Sequence, residues 1–481
     1  MLLTAVAFGM YVLLRAWNIP VTVDECSTAM THVPRKVFDI LFLKSDANPN
    51  NHILNTLLAK GFTGLFGWHP FVFRIPALLG ALAYAWAGFL LCRRLSDNAW
   101  VGAFAYGMLL GQPYMLEFFS LARGYSLGLG CMTVAIWFAY RFFKENSRRD
   151  LLWSAFFAGL AVYGNFTQIL FFAPFVGLLL LAAWQKKTDI AGFLHQTGPA
   201  LAMTAAWVAL LIVPLKRLSA HSEIKIWVRT DSLFRSVERT MDAAIHRNPL
   251  MGRDASEIFT WMAAAFMLIA VPVAVRKWWR RPNGLAGDFR IFPVLLLAGV
   301  LITNVLQAEL MHITYLQPRL ALLYWPLFAL SLGAAAAWLY DGIGKWIWLP
   351  AAPIALMTFI NVGTSVNLQE ATDWWHDRDT YTVLHYIRNV QQTESHPEPY
   401  TFDSNSLLQN SYIFHTKRDP RNFGDIVRLG EWHPGKPDAY DKDFYYTNSE
   451  EAAQMLDTYE VVLRLPASDR MLLRKKRNNP S

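Results

Sequence analysis

Residues 2–30, LLTAVAFGMYVLLRAWNIPVTVDECSTAM, run from an apolar stretch of membrane-spanning length directly into two adjacent carboxylates, Asp24 and Glu25. No basic n-region precedes the apolar run and no small-residue cleavage site precedes Asp24, so it reads as a retained helix and not as a signal peptide. A charge at the edge of a membrane is expensive and tends to be kept for function. The fold class follows from whether the rest of the chain repeats that apolar signal.

It does. Of 481 residues 54% are hydrophobic, 14% aromatic and only 17% charged, and the mean hydropathy is +0.23. That balance is far from an ordinary soluble enzyme and describes a polytopic membrane protein. Eleven stretches of spanning length are expected, at about 2–18, 70–92, 99–116, 124–143, 151–166, 169–184, 197–215, 258–275, 291–308, 320–340 and 346–362. Threading them from a cytoplasmic N-terminus gathers Arg93 and Arg94, then Arg141, Lys144, Arg148 and Arg149, then Lys186 and Lys187, then Arg276, Lys277, Arg280 and Arg281 on one face. The positive-inside rule makes that face cytoplasmic. Asp24, Glu25, the loops after Gln112 and Gln307, and everything beyond Asn361 then lie outside.

The formal net charge of +8 follows from this topology and needs no nucleic acid, with lipid headgroup contact as a small extra term. Cys26, Cys92 and Cys131 build neither a disulfide framework nor a Cys-x-x-Cys metal site. Asn165-Phe166-Thr167 matches a glycosylation pattern but falls in a very short turn between spans.

After Asn361 the chain turns polar. Alternating stretches such as YTFDSN (400–405), SYIFHT (411–416) and VVLRLP (461–466) are separated by Pro, Asn, Gly and Asp clusters. Residues 382–392 and 449–457 have helical spacing, and 461–476 reads as a terminal hairpin. The expected division is a membrane domain over 1–366, with outside loops at about 19–69 and 216–257, and a small soluble α/β domain over 367–481. Within the second loop KIWVRTDSLFRSV (225–237) is amphipathic and suited to the interface plane.

Polar residues recur where three outside loops meet the membrane. The first carries Asp24, Glu25 and NPNNHILNTLLAKGFTGLFG (48–67), which is too polar to cross and too apolar to float free, and fits an interfacial helix. EFFSLARGYSL (117–127) brings Glu117, Arg123 and Tyr125; QAELMHITYLQPRL (307–320) brings Glu309, His312, Tyr315 and Arg319. An arginine fork at the mouth of a span suits a phosphate whose lipid tail stays in the bilayer. A facing carboxylate suits removal of a proton from an incoming hydroxyl. Together they describe displacement at a carbon attached to a lipid phosphate, with arginine stabilising the departing charge.

On these residues the chain resembles the GT-C class of membrane glycosyltransferases, and within it the group containing the protein O-mannosyltransferases and the lipid A aminoarabinose transferase, a family 39-like bacterial type. The resemblance rests on the first span ending in Val23-Asp24-Glu25, on 50–67 followed by FVFRIPALL (71–79), on LARGYSL (121–127), on QPRLALLYWPLFAL (317–330) and on TDWWHDRDTYTVLHYI (372–387). It implies a mainly α, polytopic GT-C fold of about eleven transmembrane helices plus a small C-terminal extracytoplasmic α/β domain. It also implies a single sugar moved, with inversion, from a polyprenyl-phosphate donor to a hydroxyl of a cell-envelope acceptor (lipid A, polysaccharide, glycolipid or protein). The expected setting is the bacterial inner membrane, with the site and the C-terminal domain periplasmic.

Asp24 maps to the proposed catalytic base, with Glu25 beside it as a second catalytic carboxylate or as the partner of a neighbouring base. Arg123 and Arg319 are the candidate donor-phosphate ligands, and Asn51, His52, Tyr125, His312 and Tyr315 candidate substrate contacts. Several relatives carry a Glu-Lys-Pro-Pro-like tract where this chain has Asn50-Asn51-His52-Ile53, so a metal or phosphate role for that pair does not transfer, and a divalent metal stays open. Each assignment has a plainer rival: Asp24 as a cap or solvated acid, Arg319 as a snorkelling anchor, His52 and His312 as hydrogen-bonded structural residues, Trp374 and Trp375 as belt aromatics. A transporter, a flippase or a glycan ligase is the competing class; a transporter would show paired halves with broken helices at the midplane, which are not found here.

Overall fold

Proline and polar breaks divide the apolar sequence into helices. The computed structural model describes residues 1–44, 48, 50–186, 189–220, 231–252, 254–281, 284–404, 406–421, 423–430 and 441–476, with 406–408 and 410 as backbone only. The expectations placed on residues 221–230 and on Lys187 fall outside this set.

The helices are α1 (Leu2–Asn18), α2 (Val23–Ser27), α3 (Val37–Leu41), α4 (Ile53–Phe66), α5 (Pro70–Cys92), α6 (Ala99–Leu110), α7 (Pro113–Phe118), α8 (Gly124–Glu145), α9 (Arg148–Gly164), α10 (Ile169–Gln185), α11 (Ile190–Ala220), α12 (Leu233–Ile245), α13 (Ala255–Arg280), α14 (Gly284–Gly287), α15 (Ile291–Met311), α16 (Tyr324–Ile343) and α17 (Trp348–Thr364). Each of the eleven expected stretches is mainly helical. Among the described residues seven helical segments are long and apolar enough to cross a membrane, or eight if α1 and the bent segment Val23–His32 count as one. The stretch expected at 99–116 is broken at Gly111 and Gln112. Pro113 lacks an N–H and disfavours helical backbone in the residue before it, so α6 stops and α7 restarts with Pro113 in its first turn.

The chain forms two units, one made of Met1–Leu13, Val37–Asn55 and Pro76–Val366, the other of Leu14–Lys36, Thr56–Ile75 and Asn367–Ser481. In the first, helices approach closely where glycine leaves room. A Cβ on Gly124 would stand 1.8 Å from the Gly164 carbonyl oxygen, and one on Gly159 2.1 Å from the Trp207 ring.

The second unit carries a five-stranded sheet of β1 (Tyr400–Ser404), β2 (Val427–Leu429), β3 (Phe444–Asn448), β4 (Tyr459–Leu465) and β5 (Arg470–Lys475), in the order β2-β1-β3-β5-β4. β1 runs parallel to β2 and β3, and β5 antiparallel to β3 and β4, the last pair being the terminal hairpin. With α18 (Thr380–Thr393), α19 (Ser406–Lys417) and α20 (Ser449–Ala453) it encloses a core that includes Val383, Ile387, Phe402, Phe423, Phe444 and Leu472, all fully buried. Within this unit α19 packs onto α2 and onto the stretch that leads into the first turn of α5. Phe414 meets Trp68 and Phe73 at 6.3 Å between ring centres, and the Ser411 hydroxyl donates to the Val21 carbonyl at 2.6 Å.

Candidate active site

The acidic turn is built by local rules. Ile19-Pro20 ends α1, and Thr22 caps α2 in a capping box: its Oγ1 accepts from the Glu25 N–H at 3.4 Å, and Glu25 Oε2 accepts from the Thr22 N–H at 3.0 Å. Arg74, from the first turns of α5, then grips Glu25 with Nε on Oε1 at 2.8 Å and Nη2 on Oε2 at 2.7 Å. The same guanidinium donates to the carbonyls of Ala16 at 3.0 Å, Ile19 at 2.7 Å and Pro20 at 2.9 Å. These five contacts use all five guanidinium N–H groups, so one cation ends α1 and fixes Glu25 at once. Both side chains are fully buried.

Asp24 is different. It occupies the second position of α2, is only half-buried, and its carbonyl accepts from the Thr28 hydroxyl at 3.0 Å. After it the chain passes into a π-helical turn, Thr28–His32, a geometry that recurs at functional sites.

The tract that follows the last span also reaches this turn. Asp377 Oδ2 accepts from the Val23 N–H at 2.8 Å, and the Thr380 hydroxyl ties the Asp377 carbonyl to the start of α18 at 2.8 Å. Burial pushes the Asp377 carboxyl well above the usual range, the Val23 N–H opposes this, and the charges of Glu25 and Asp24 add to it. Burial lowers His376 to about 4, helped by Arg470 and opposed by Asp24, so the imidazole is neutral at pH 7. Trp374 is buried and Trp375 largely exposed. His376 and Asp377 lie within the tract 372–387, in which sequence reasoning singled out only the tryptophans. Their signal was an adjacent His-Asp pair, which by itself has no readable partner.

The remaining candidates belong to the other unit. Arg123 caps α8, is buried, and donates to the Asn50 carbonyl at 3.4 Å and to its side-chain oxygen. His52 packs on Tyr125, and Tyr125 on Phe118, with ring centres 5.0 and 4.7 Å apart. Asn51 is buried, with its N–H on the Asn48 carbonyl at 3.0 Å. His52, Arg123 and Tyr125 are therefore brought together. Tyr315 donates to Glu309 at 2.7 Å, His312 is an exposed left-handed cap of α15, and Arg319 is half-buried. The loop that bears them is held by α12, whose Ser236 hydroxyl donates to the Leu316 carbonyl at 2.6 Å. Among the described residues no three His, Cys, Asp or Glu side chains form a group that could hold a metal ion.

Comparison with known proteins agrees with this architecture. The apo crystal structure of ArnT from Cupriavidus metallidurans is similar over 98% of this chain and 97% of its own, at 13% identity and a TM-score of 0.51. The chain has the GT-C fold. A family model described as dolichyl-phosphate-mannose-protein mannosyltransferase matches residues 51–219 of this GT-C chain. The same ArnT bound to undecaprenyl phosphate aligns over 100% of this chain and 99% of its own, with 14% identity and a TM-score of 0.49. An Archaeoglobus fulgidus oligosaccharyltransferase in complex with Zn and sulfate aligns over 94% and 68%, with 12% identity and a TM-score of 0.48. No curated protein matches the sequence.

Proposed function

We propose that this GT-C protein is a glycosyltransferase that moves one sugar from a polyprenyl-phosphate donor to a hydroxyl of a cell-envelope acceptor. The observation that carries the reading is the division of labour between two adjacent carboxylates. Glu25 is fully buried and held by Arg74 through both oxygens, whereas Asp24 beside it is only half-buried. A half-buried carboxylate on a turn that its neighbour anchors suits general-base work.

Asp24 takes the proton of the acceptor hydroxyl as its oxygen bonds to the anomeric carbon of the donor. The bond from that carbon to the phosphate oxygen breaks with its electron pair on the phosphate, and the configuration inverts. Arg123 and Arg319 are assigned to the phosphate, where a guanidinium fork offsets the developing charge; Asn51, His52, Tyr125, His312 and Tyr315 are assigned to the substrates. Glu25 acts through Arg74 as an anchor of the turn. The setting is the bacterial inner membrane, with the N-terminus cytoplasmic and the transfer on the periplasmic side.

The test is transfer by the purified protein from a panel of radiolabelled undecaprenyl-phosphate hexoses and pentoses to envelope extract. Transfer from one donor, reduced about 100-fold or more by Asp24→Asn, supports the reading. Donor binding or uptake without transfer would instead favour a transporter or flippase.

A further inference from the structure

Asp24 lies between two residues that are each tied down by a different part of its own unit. On one side Glu25 is held by Arg74. On the other Val23, the first residue of α2, gives its N–H to Asp377 Oδ2 at 2.8 Å. That N–H is one of those a helix start cannot satisfy internally. Two residues earlier, the Val21 carbonyl accepts from Ser411. The sheet domain therefore fixes the N-terminal end of the acidic turn through Asp377 and Ser411, independently of the Arg74 clasp.

We infer that Asp377 is a positioning residue for transfer, aiming Asp24 by holding the Val23 N–H; this rests on Asp24 being the base. A displacement of about 1 Å in a reacting group costs on the order of 100-fold in rate, so an anchor one residue away from the base has leverage. The form of the anchor is set by its surroundings. Asp377 is buried, its Oδ1 has no hydrogen-bond partner among the described residues, and His376 Nε2 stands 3.9 Å from Oδ2. The titratable groups that face it are Asp24, Glu25 and Cys26 from α2, Tyr412 from α19, and His376. Two are carboxylates and, with His376 neutral, none of the five supplies a nearby positive charge, so Asp377 works as a neutral acid that accepts one N–H bond. An asparagine amide reproduces both features.

The experiment uses the full chain in nanodiscs and compares Asp377→Ala, Asp377→Asn and Asp24→Asn. The readouts are kcat and donor KM in the transfer assay, the kcat–pH profile, and hydrogen exchange of the peptide covering 21–28. The expected result for Asp377→Ala is a kcat lower by about 10- to 100-fold with donor KM within about twofold, and faster exchange at 21–28. Asp377→Asn is expected within about threefold of wild type, with exchange protected and the acidic limb of the profile unmoved. Wild-type exchange and kcat in Asp377→Ala would overturn the assignment. So would an Asp377→Asn variant as slow as the alanine variant with exchange still protected, because a charge would then be required. Should Asp24→Asn transfer normally, the base assignment falls, while the exchange measurement still decides whether Asp377 anchors the turn.

Discussion

Arg74 and Glu25 form a two-pronged pair at 2.8 and 2.7 Å in which neither side chain reaches solvent, and the same arginine closes the end of α1. Removing one partner of such a pair leaves a buried charge uncompensated, which costs about 3–5 kcal/mol. Arg74→Met and Glu25→Ala are therefore expected to lower the melting temperature sharply in detergent. The double variant Arg74→Met/Glu25→Leu should lose less than the sum of the singles, and strict additivity would show that the two side chains are not coupled.

Asp377 makes a pH prediction whose sign is opposite to that of an ordinary salt-bridged acid. Its folded pKa is raised above the unfolded value of about 3.9. The folded state thus holds a proton that the unfolded state releases, and stability falls as pH rises from about 4 toward the folded pKa. Asp377→Asn removes this term. Melting curves should show the variant gaining on wild type between pH 5 and 8 and converging with it near pH 4; a gap that widens toward acid would contradict the assignment.

His415 and Asp419 run the other way. Their hydrogen bond is 2.6 Å long, both side chains are fully buried, and Arg421 holds the same carboxylate. Burial lowers His415 and outweighs the help from Asp419, while the His415 and Arg421 hydrogen bonds bring Asp419 well below the usual carboxylate range despite burial. Unfolding lets the imidazole charge, so this site loses stability as pH falls below about 6.5, and the carboxylate adds its loss below about 3.9. Asp419→Asn should therefore melt lower at pH 7 and come closer to wild type at pH 3.

Gly124→Ala tests the helix packing that carries Arg123 and Tyr125. Its Cβ would meet the Gly164 carbonyl at 1.8 Å and the His52 side chain at 2.6 Å. Overpacking of this kind costs about 1–3 kcal/mol. A wild-type melting temperature for the variant would show that α8 and α9 can separate without loss.

Much of this could be read from the sequence, and the reason differs by element. Helices such as α5 announce themselves because lipid demands about 20 apolar residues in a row, and the expected 70–92 coincides with Pro70–Cys92. The break in 99–116 was written in Pro113 but hidden by an otherwise unbroken apolar run. The acidic turn stood out because two carboxylates follow a long apolar run. What the sequence left closed was the difference between them: Glu25 and Arg74 are 49 positions apart, and only folding shows that they meet. The link from Asp377 to Val23 spans 354 positions and leaves no local pattern at all.

The most direct test of the account is the transfer assay on Asp24→Asn, run beside its melting curve. The prediction is a wild-type melting temperature with transfer reduced about 100-fold or more. Transfer at the wild-type rate by a correctly folded Asp24→Asn protein would remove the base from the mechanism and contradict the account.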